Sequence, residues 1–186
     1  MLSLKNHLPS FIVATWVMSS VVIAIAYALC RGTAEAVMMA HRITKKERAV
    51  LSGGLHPHYR ETVQTHARFA GFEVAAVAPD ADGSEALQID KDVSAVVVQN
   101  PDFFGRVRDY SALAEACHAA GALLVVVVTE VVSLGAITPP GEMGADIVVG
   151  SSQRFGVPMG FGGPHAAFFA TRDAYKRHMP GRLVGV

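Results

Sequence analysis

The stretch from Ser151 to His165 has the composition most typical of a ligand-binding loop in this chain. It places four glycines and two prolines in fifteen residues, directly after an apolar segment. Glycine lets a backbone approach a ligand closely, and proline fixes the path of the chain. In an open α/β sheet, ligands bind at the carboxyl ends of the strands, where this loop would begin. It matches neither the phosphate loop nor the dinucleotide fingerprint, so tight chain packing is an equal alternative.

Histidines and cysteines are the other side chains that could carry chemistry. His56 and His58 flank a proline and His66 follows, but a metal needs three or four converging ligands, and no cysteine or acidic cluster accompanies them. We therefore predict surface or partner-contact histidines and no metal site. Cys117 lies among alanines and is expected to be a core residue. Cys30 has no base near it in sequence, so we do not expect a nucleophile there.

The composition indicates one globular domain. The chain has 186 residues, of which 51% are hydrophobic, with sixteen basic and sixteen acidic residues. This length and apolar content can close a sizeable core. The balanced charge gives no reason to expect nucleic acid as a partner. Two cysteines argue against a disulfide scaffold and fit a reducing compartment.

An apolar segment at residues 1–31 stands apart from the rest. No charged residue occurs between Asn6 and Cys30, and Phe11–Leu29 is long enough to approach a membrane span. A single membrane anchor through 11–29, a buried helix and a terminus foreign to the native fold are the alternatives. Hydropathy alone favours the membrane anchor no more than the other two alternatives together.

The remaining chain alternates helical and strand patterns, which is typical of an α/β fold with a mostly parallel sheet. The apolar runs do not alternate with polar residues, so the strands are expected to be buried by helices on both faces. The polar segment from Pro79 to Asp92 is expected to form turns and a short helix. One helix is predicted to begin at Gly32, with Thr33 as its cap, and two more are predicted over Pro57–Gly71 and Asp109–Ala120. Strands are predicted over Arg48–Leu51, Phe72–Ala78, Ser94–Gln99, Ala122–Val128, Asp146–Gly150 and Ala166–Thr171.

Three motifs carry a resemblance to a known family. They are HPHYRETVQT at 56–65, NPDFFG at 100–105 and the block from Pro139 to Val186. Together they resemble the N-terminal half, or subunit 1, of the glycine cleavage system P-protein, a pyridoxal-phosphate glycine dehydrogenase (decarboxylating). The resemblance runs from about Gly32 to the end. It implies a truncated fold-type-I pyridoxal-phosphate transferase large domain, with 32–186 as a partial large domain after the divergent segment 1–31.

The resemblance also implies where a cofactor would be held. In this fold a lysine follows the strand that here is Asp146–Gly150, and an acid follows the strand before it. Gln153 and Arg154 stand in the lysine region, and Glu130 stands at the acid position. A guanidinium stays protonated and is no amine nucleophile. We therefore expect no catalytic and no cofactor-binding residue in this chain, whose lysines are Lys5, Lys45, Lys46, Lys91 and Lys176.

The function implied by the resemblance is a non-catalytic part of glycine dehydrogenase. Pyridoxal phosphate would be bound by the lysine-bearing C-terminal half or subunit, with this chain as scaffold and the Ser151–His165 loop as a wall of the active-site channel. Glycine would be decarboxylated there, and its aminomethyl group passed to the lipoyl H-protein. The chain is then expected to be inactive and poorly stable alone, and cytoplasmic, or mitochondrial in a eukaryote. The alternative is a membrane-anchored α/β interaction module without enzymatic activity.

A basic run near the end of the sequence has two interpretations. A solvated face is the simpler one, and a contact with the partner subunit is the sharper one. The run consists of Arg172, Lys176, Arg177 and Arg182.

Overall fold

The structure, a computed structural model, describes residues 29–156 and 166–181. Their centre is a six-stranded sheet in the order β2-β1-β3-β4-β5-β6. Strands β1 to β5 pair in parallel, and β6 runs antiparallel to β5. The strands are β1 (Arg48–Leu51), β2 (Glu73–Ala76), β3 (Val93–Gln99), β4 (Leu123–Val128), β5 (Ile147–Ser151) and β6 (Ala167–Thr171).

Helices cover both faces of this sheet. Helix α1 occupies residues 29–44, α2 is Pro57–Ala70 and α3 is Ser111–Ala120. Short 3-10 helices occupy Val131–Gly135, Gln153–Phe155 and Asp173–His178. Helices α1 and α2 pack on one face, with Met39 and Val63 in that core, and α3 packs on the other face through Ala114 and Cys117. The predicted α/β class, with a mostly parallel sheet and helices on both faces, is confirmed.

The central strands explain why the sheet forms. Every residue of β3 and β4 is buried. Their valines and leucines favour extended backbone, and a strand enclosed on both faces has no polar side to place in water. The unbroken apolar pattern read from the sequence therefore marks the middle of the sheet.

Two local predictions are wrong. Helix α1 is already formed at residue 29, so Thr33 lies inside it; the Thr33 hydroxyl donates to the carbonyl of Leu29 instead of capping the helix. The segment between β2 and β3 contains no helix, although a short one was expected. Polar contacts, together with the packing of Leu87 and Ile89 on the core, hold this crossover segment, residues 77–92.

Those contacts reach the crossover segment from its neighbours in the fold. The two carboxylate oxygens of Glu85 accept from the Ser52 hydroxyl and the Gly53 amide, each at 2.7 Å. The Arg106 guanidinium donates to the carbonyls of Asp80 and Ala81. Charged side chains thus replace the usual crossover helix as the tie between the crossover segment and the sheet.

The segment for which a membrane anchor was considered, 11–29, lies outside the described residues except for Leu29, which is buried. Within 29–156 and 166–181, no helix has the length and apolar character needed to cross a membrane.

A buried carboxylate stabilises the edge at which the parallel strands begin, called the amino edge here. Asp146, just before β5, is 2% exposed and accepts from the Leu124 amide and the His118 ring at 2.9 Å. The Arg172 Nε lies 3.0 Å from its other oxygen. The basic run therefore begins with Arg172, which forms an ion pair with Asp146 of the same chain. Lys176, further along the run, pairs with Asp173.

Asp146→Ala should lower the free energy of unfolding by about 2 kcal/mol, because it leaves the buried Leu124 amide without its side-chain acceptor and removes the carboxylate partner of the His118 ring and of Arg172. Denaturant unfolding of the purified chain measures the change. Asp173→Ala is the matched control, since the Asp173 side chain is 88% exposed and its ion pair should contribute little. Equal effects of the two substitutions would contradict the role of Asp146.

Candidate functional site

The carboxyl ends of β1 to β5 meet at one edge of the sheet because these strands are parallel. This carboxyl edge gathers the loops that follow the strands. Ligands of open α/β sheets bind at such an edge. It is therefore the candidate functional site, and the two regions singled out in the sequence, Glu130 and Gln153-Arg154, both lie on it.

Glu130 and Arg154 contact each other. Arg154 Nε lies 3.5 Å from Glu130 Oε2, with both side chains partly exposed. The other oxygen of Glu130 accepts weakly from the Val132 amide at 3.4 Å, at the start of a 3-10 helix. Gln153, beside Arg154, accepts from the Ala166 amide through Oε1. The acid of this edge thus has an arginine as its charge partner.

The described lysines lie elsewhere. Lys45 and Lys46 precede β1 and Lys91 precedes β3, so all three sit at the amino edge. Lys176 follows β6, whose antiparallel direction returns the chain to that same edge beside Ile147. Strands of this length separate the two edges by about 15 Å or more. Lys5 lies outside the described residues.

An aromatic cluster occupies the carboxyl edge between β1 and β3. The His56 ring packs against His58, Tyr59 and Phe103 with centroid distances of 5.0, 5.1 and 5.2 Å, and Phe103 contacts Phe104 at 5.5 Å. His56 Nδ1 also accepts from the His58 amide at the start of α2. His56 thus caps helix α2 and contacts aromatic rings, whereas the sequence predicted a surface or partner-contact histidine.

The loop after β3 positions the phenylalanines of this cluster. The buried Asp102 accepts from the amides of Phe104 and Arg106 through Oδ1, both at 2.9 Å, and from Arg106 Nε through Oδ2 at 2.7 Å. The Arg106 guanidinium lies over the Phe104 ring. Sequence reasoning used this NPDFFG stretch only as a mark of resemblance. The two adjacent phenylalanines directly after a buried strand are the sequence feature that could have indicated an aromatic cluster there.

Large apolar side chains are exposed along the same edge. Phe103 is 47% exposed, Phe104 39%, Val132 62% and Phe155 69%. They follow β3, β4 and β5 in turn, and the 3-10 helices carrying Val132 and Phe155 are neighbours. Aromatic residues exposed together are typical of interaction surfaces.

The other candidate residues named from the sequence lie in different parts of the chain. Cys117 is fully buried in α3, as expected of a core residue, and burial raises its pKa to about 12. Burial also raises the pKa of Cys30, a buried residue of α1. His66 lies on α2, away from the aromatic cluster. Of the Ser151–His165 loop, residues 157–165 lie outside the described part, as does Arg182.

No metal centre is present among the residues that the structure describes. Within 29–156 and 166–181, no three histidine, cysteine or acidic side chains are placed to hold an ion.

Comparison with known proteins identifies the family. Residues 17–186 match the family described as glycine cleavage system P-protein. The chain belongs to this family. The matched range begins before Gly32, where the resemblance in the motifs becomes apparent, and so includes part of the apolar segment.

Named relatives support the same assignment. A protein of Rhodospirillum centenum named "Probable glycine dehydrogenase (decarboxylating) subunit 1" is 61% identical over 156 residues, 83% of this chain and 35% of that protein. A relative of the same name from Azorhizobium caulinodans is 56% identical over 82% of this chain and 34% of its own length. The chain thus spans about a third of these relatives.

A solved structure has the same fold. It is the glycine decarboxylase (P-protein) of the glycine cleavage system in an inhibitor-bound form, with 42% identity and a TM-score of 0.77. The match covers 83% of this chain and 35% of that one. The fold-type-I architecture implied by the sequence resemblance is therefore confirmed.

His58→Ala should raise the pKa of His56 toward its ordinary value of 6.5. Burial, and secondly the charge of His58, lower the pKa of His56, so the substitution removes the smaller cause and leaves part of the shift. A histidine NMR titration measures this, with His66→Ala as control. No change in His58→Ala would contradict the contact.

Wild-type stability should follow the same titration. Because the pKa of His56 is lower in the folded chain than in the unfolded chain, the unfolded state binds more protons below pH 6.5. The contribution of His56 to stability is therefore complete above that pH and decreases as the pH falls through its folded pKa. Denaturant unfolding at several pH values, compared between wild type and His56→Asn, tests the sign.

Proposed function

We propose that this chain is a non-catalytic part of glycine dehydrogenase (decarboxylating) in the glycine cleavage system. It pairs with a lysine-bearing half or subunit, which binds the pyridoxal phosphate, and it contributes a wall of the active-site channel. Glycine is the substrate of that assembly and the lipoyl H-protein accepts the aminomethyl group. The chain alone is inactive.

The position of the lysines carries this proposal. A covalent pyridoxal-phosphate site needs a lysine amine at the carboxyl edge, and the cofactor then acts as an electron sink. Among the described residues, every lysine lies at the amino edge, and Arg154, on the carboxyl edge, cannot form an imine. The residues present do not fit the cofactor as a covalent site.

The Glu130–Arg154 pair gives further support. An acid that assists the cofactor would need to face its pyridine nitrogen. Here the Glu130 carboxylate has an arginine 3.5 Å away, so its charge is compensated within the chain. This arrangement fits a domain that has retained the fold while another chain supplies the chemistry.

The exposed apolar residues of the carboxyl edge support this edge as the surface that contacts the partner. Phe103 and Phe104 are fixed by the Asp102–Arg106 contacts but remain exposed. Rigid aromatic side chains lose little conformational entropy on binding and often dominate an interface. The relatives are named subunit 1, which agrees with a second subunit as the occupant.

Reconstitution tests the proposal as a whole. The full chain mixed with the lysine-bearing subunit, pyridoxal phosphate and H-protein should release carbon dioxide from glycine, whereas the chain without that subunit should release none. Borohydride treatment of the chain with pyridoxal phosphate should trap no stoichiometric, site-specific adduct. An adduct on one lysine, or turnover by the chain alone, would contradict the proposal.

The double substitution Phe103→Ala/Phe104→Ala should weaken binding to the lysine-bearing subunit by about tenfold or more, because it removes aromatic contacts from the interface centre. Calorimetry or biosensor binding measures the loss. Phe69→Ala is the control, since Phe69 is 87% exposed, more than Phe103 or Phe104, but lies on α2 near its C-terminal end. Equal losses would place the interface elsewhere.

A further inference from the structure

We propose that the bond between Asp82 and Gly83 is a site of spontaneous isoaspartate formation, and that this modification loosens the crossover segment. Asp82-Gly83 is the only Asp-Gly pair in the sequence, which contains no Asn-Gly pair. An aspartate before a glycine favours this reaction, because glycine has no Cβ to hinder attack on the neighbouring carboxyl group. The proposal is independent of the function proposed above, since the reaction needs no partner and no cofactor.

The reaction rearranges the main chain without changing its mass. The Gly83 amide nitrogen loses its proton and attacks the side-chain carboxyl carbon of Asp82, from which an oxygen leaves as water. Water then attacks the main-chain carbonyl carbon of Asp82 in the resulting succinimide ring and breaks its bond to the Gly83 nitrogen. The main chain now runs through the Asp82 side chain and is longer by one methylene group, and the released main-chain carbonyl becomes a carboxylate.

The fold leaves this bond open to the reaction. Residues 77–92 form no helix, and Asp82 lies exposed in a bend of the chain. Gly83 has a φ of 75°, a conformation that glycine adopts without steric cost. The carboxyl group and the next amide must approach each other to close the ring. Exposed backbone outside helices and strands permits this approach because no regular hydrogen bonding fixes it.

Two guanidinium groups beside Gly83 favour the attack. Arg108 Nη2 donates to the Gly83 carbonyl at 3.1 Å, and Arg106 Nη1 donates to the Ala81 carbonyl at 2.8 Å. Both nitrogens lie where a Cβ of residue 83 would be. Because a nearby positive charge stabilises an anion, the two arginines favour the deprotonated amide that attacks.

Asp80 restrains the neighbouring amides more than it restrains the attacking one. Its carboxylate accepts from the amides of Asp82 and Ser84 at 2.8 and 2.7 Å. The Ser84 hydroxyl lowers the pKa of Asp80 most, the amides of Asp82 and Ser84 follow, and the Gly83 amide contributes least. The Gly83 nitrogen is therefore the least restrained of these amides.

The longer main chain changes the spacing of the carbonyls that hold the crossover segment. Arg106 binds the carbonyl of Ala81 and Arg108 binds that of Gly83, so the inserted methylene group lies between the two contacts. Arg106 also donates to Asp102, which fixes the loop after β3. The modification therefore loosens the crossover segment and disturbs the position of Arg106.

Ageing of the purified full chain at physiological temperature and neutral pH tests the site. Isoaspartate is detected with protein L-isoaspartyl methyltransferase and radiolabelled S-adenosylmethionine, and is assigned to a residue by peptide mapping. It should accumulate at Asp82 several-fold faster than at Asp173, whose side chain is also exposed but precedes an alanine. Asp82→Glu keeps the charge and should abolish the signal, since the longer side chain does not form the succinimide ring; Asp173→Glu should leave the signal unchanged. No isoaspartate at Asp82, equal rates at the two aspartates, or an undiminished signal in Asp82→Glu would overturn the proposal.

NMR of the isomerised fraction, separated by chromatography, tests the structural consequence. The side-chain resonances of Arg106 and Arg108 should shift relative to the fresh chain. Those of Arg172, which binds Asp146 at the amino edge, should not. Unchanged Arg106 and Arg108 resonances would show that the modification leaves the crossover segment in place and would contradict that part of the proposal.

Discussion

The common direction of β1 to β5 is the constraint on which the rest of the structure depends. Burial on both faces requires helical crossovers or their equivalents, and these keep successive strands parallel. Parallel strands in turn divide the loops into two groups, one at each edge of the sheet. For β1 to β5, the side chains that directly follow a strand share the carboxyl edge, and those that directly precede one lie at the amino edge; the antiparallel β6 reverses this order.

This division decides what each edge contains. The carboxyl edge holds Glu130, Arg154 and the aromatic cluster around His56, whereas the amino edge holds the lysines and the buried Asp146 network. The chain has few lysines, and the direction of the strands also keeps the described lysines away from the loops of the carboxyl edge. A side chain of lysine length cannot cross from one edge to the other through a core of valines.

The sequence was sufficient for the parts of the fold that depend on local pattern. The valine runs of β3 and β4 predicted buried strands because a continuous apolar run has few other stable positions. The start of α1 was misjudged because Gly32 and Thr33 suggest a cap, while packing against the sheet keeps the helix continuous through them. The contact between His56 and Phe103 was not predicted, since it joins two loops that only the strand order β1-β3 brings together.

The crossover segment responds to its surroundings differently from the sheet. It is held by exposed or half-exposed ion pairs and arginine–carbonyl contacts, which dissolved salt screens over a distance of about 8–10 Å. The valine core is strengthened by sulfate, which is excluded from protein surfaces. Ammonium sulfate therefore has opposite effects on two adjoining parts of one domain. It stabilises the apolar packing of the strands and weakens the ion pairs that hold the crossover segment.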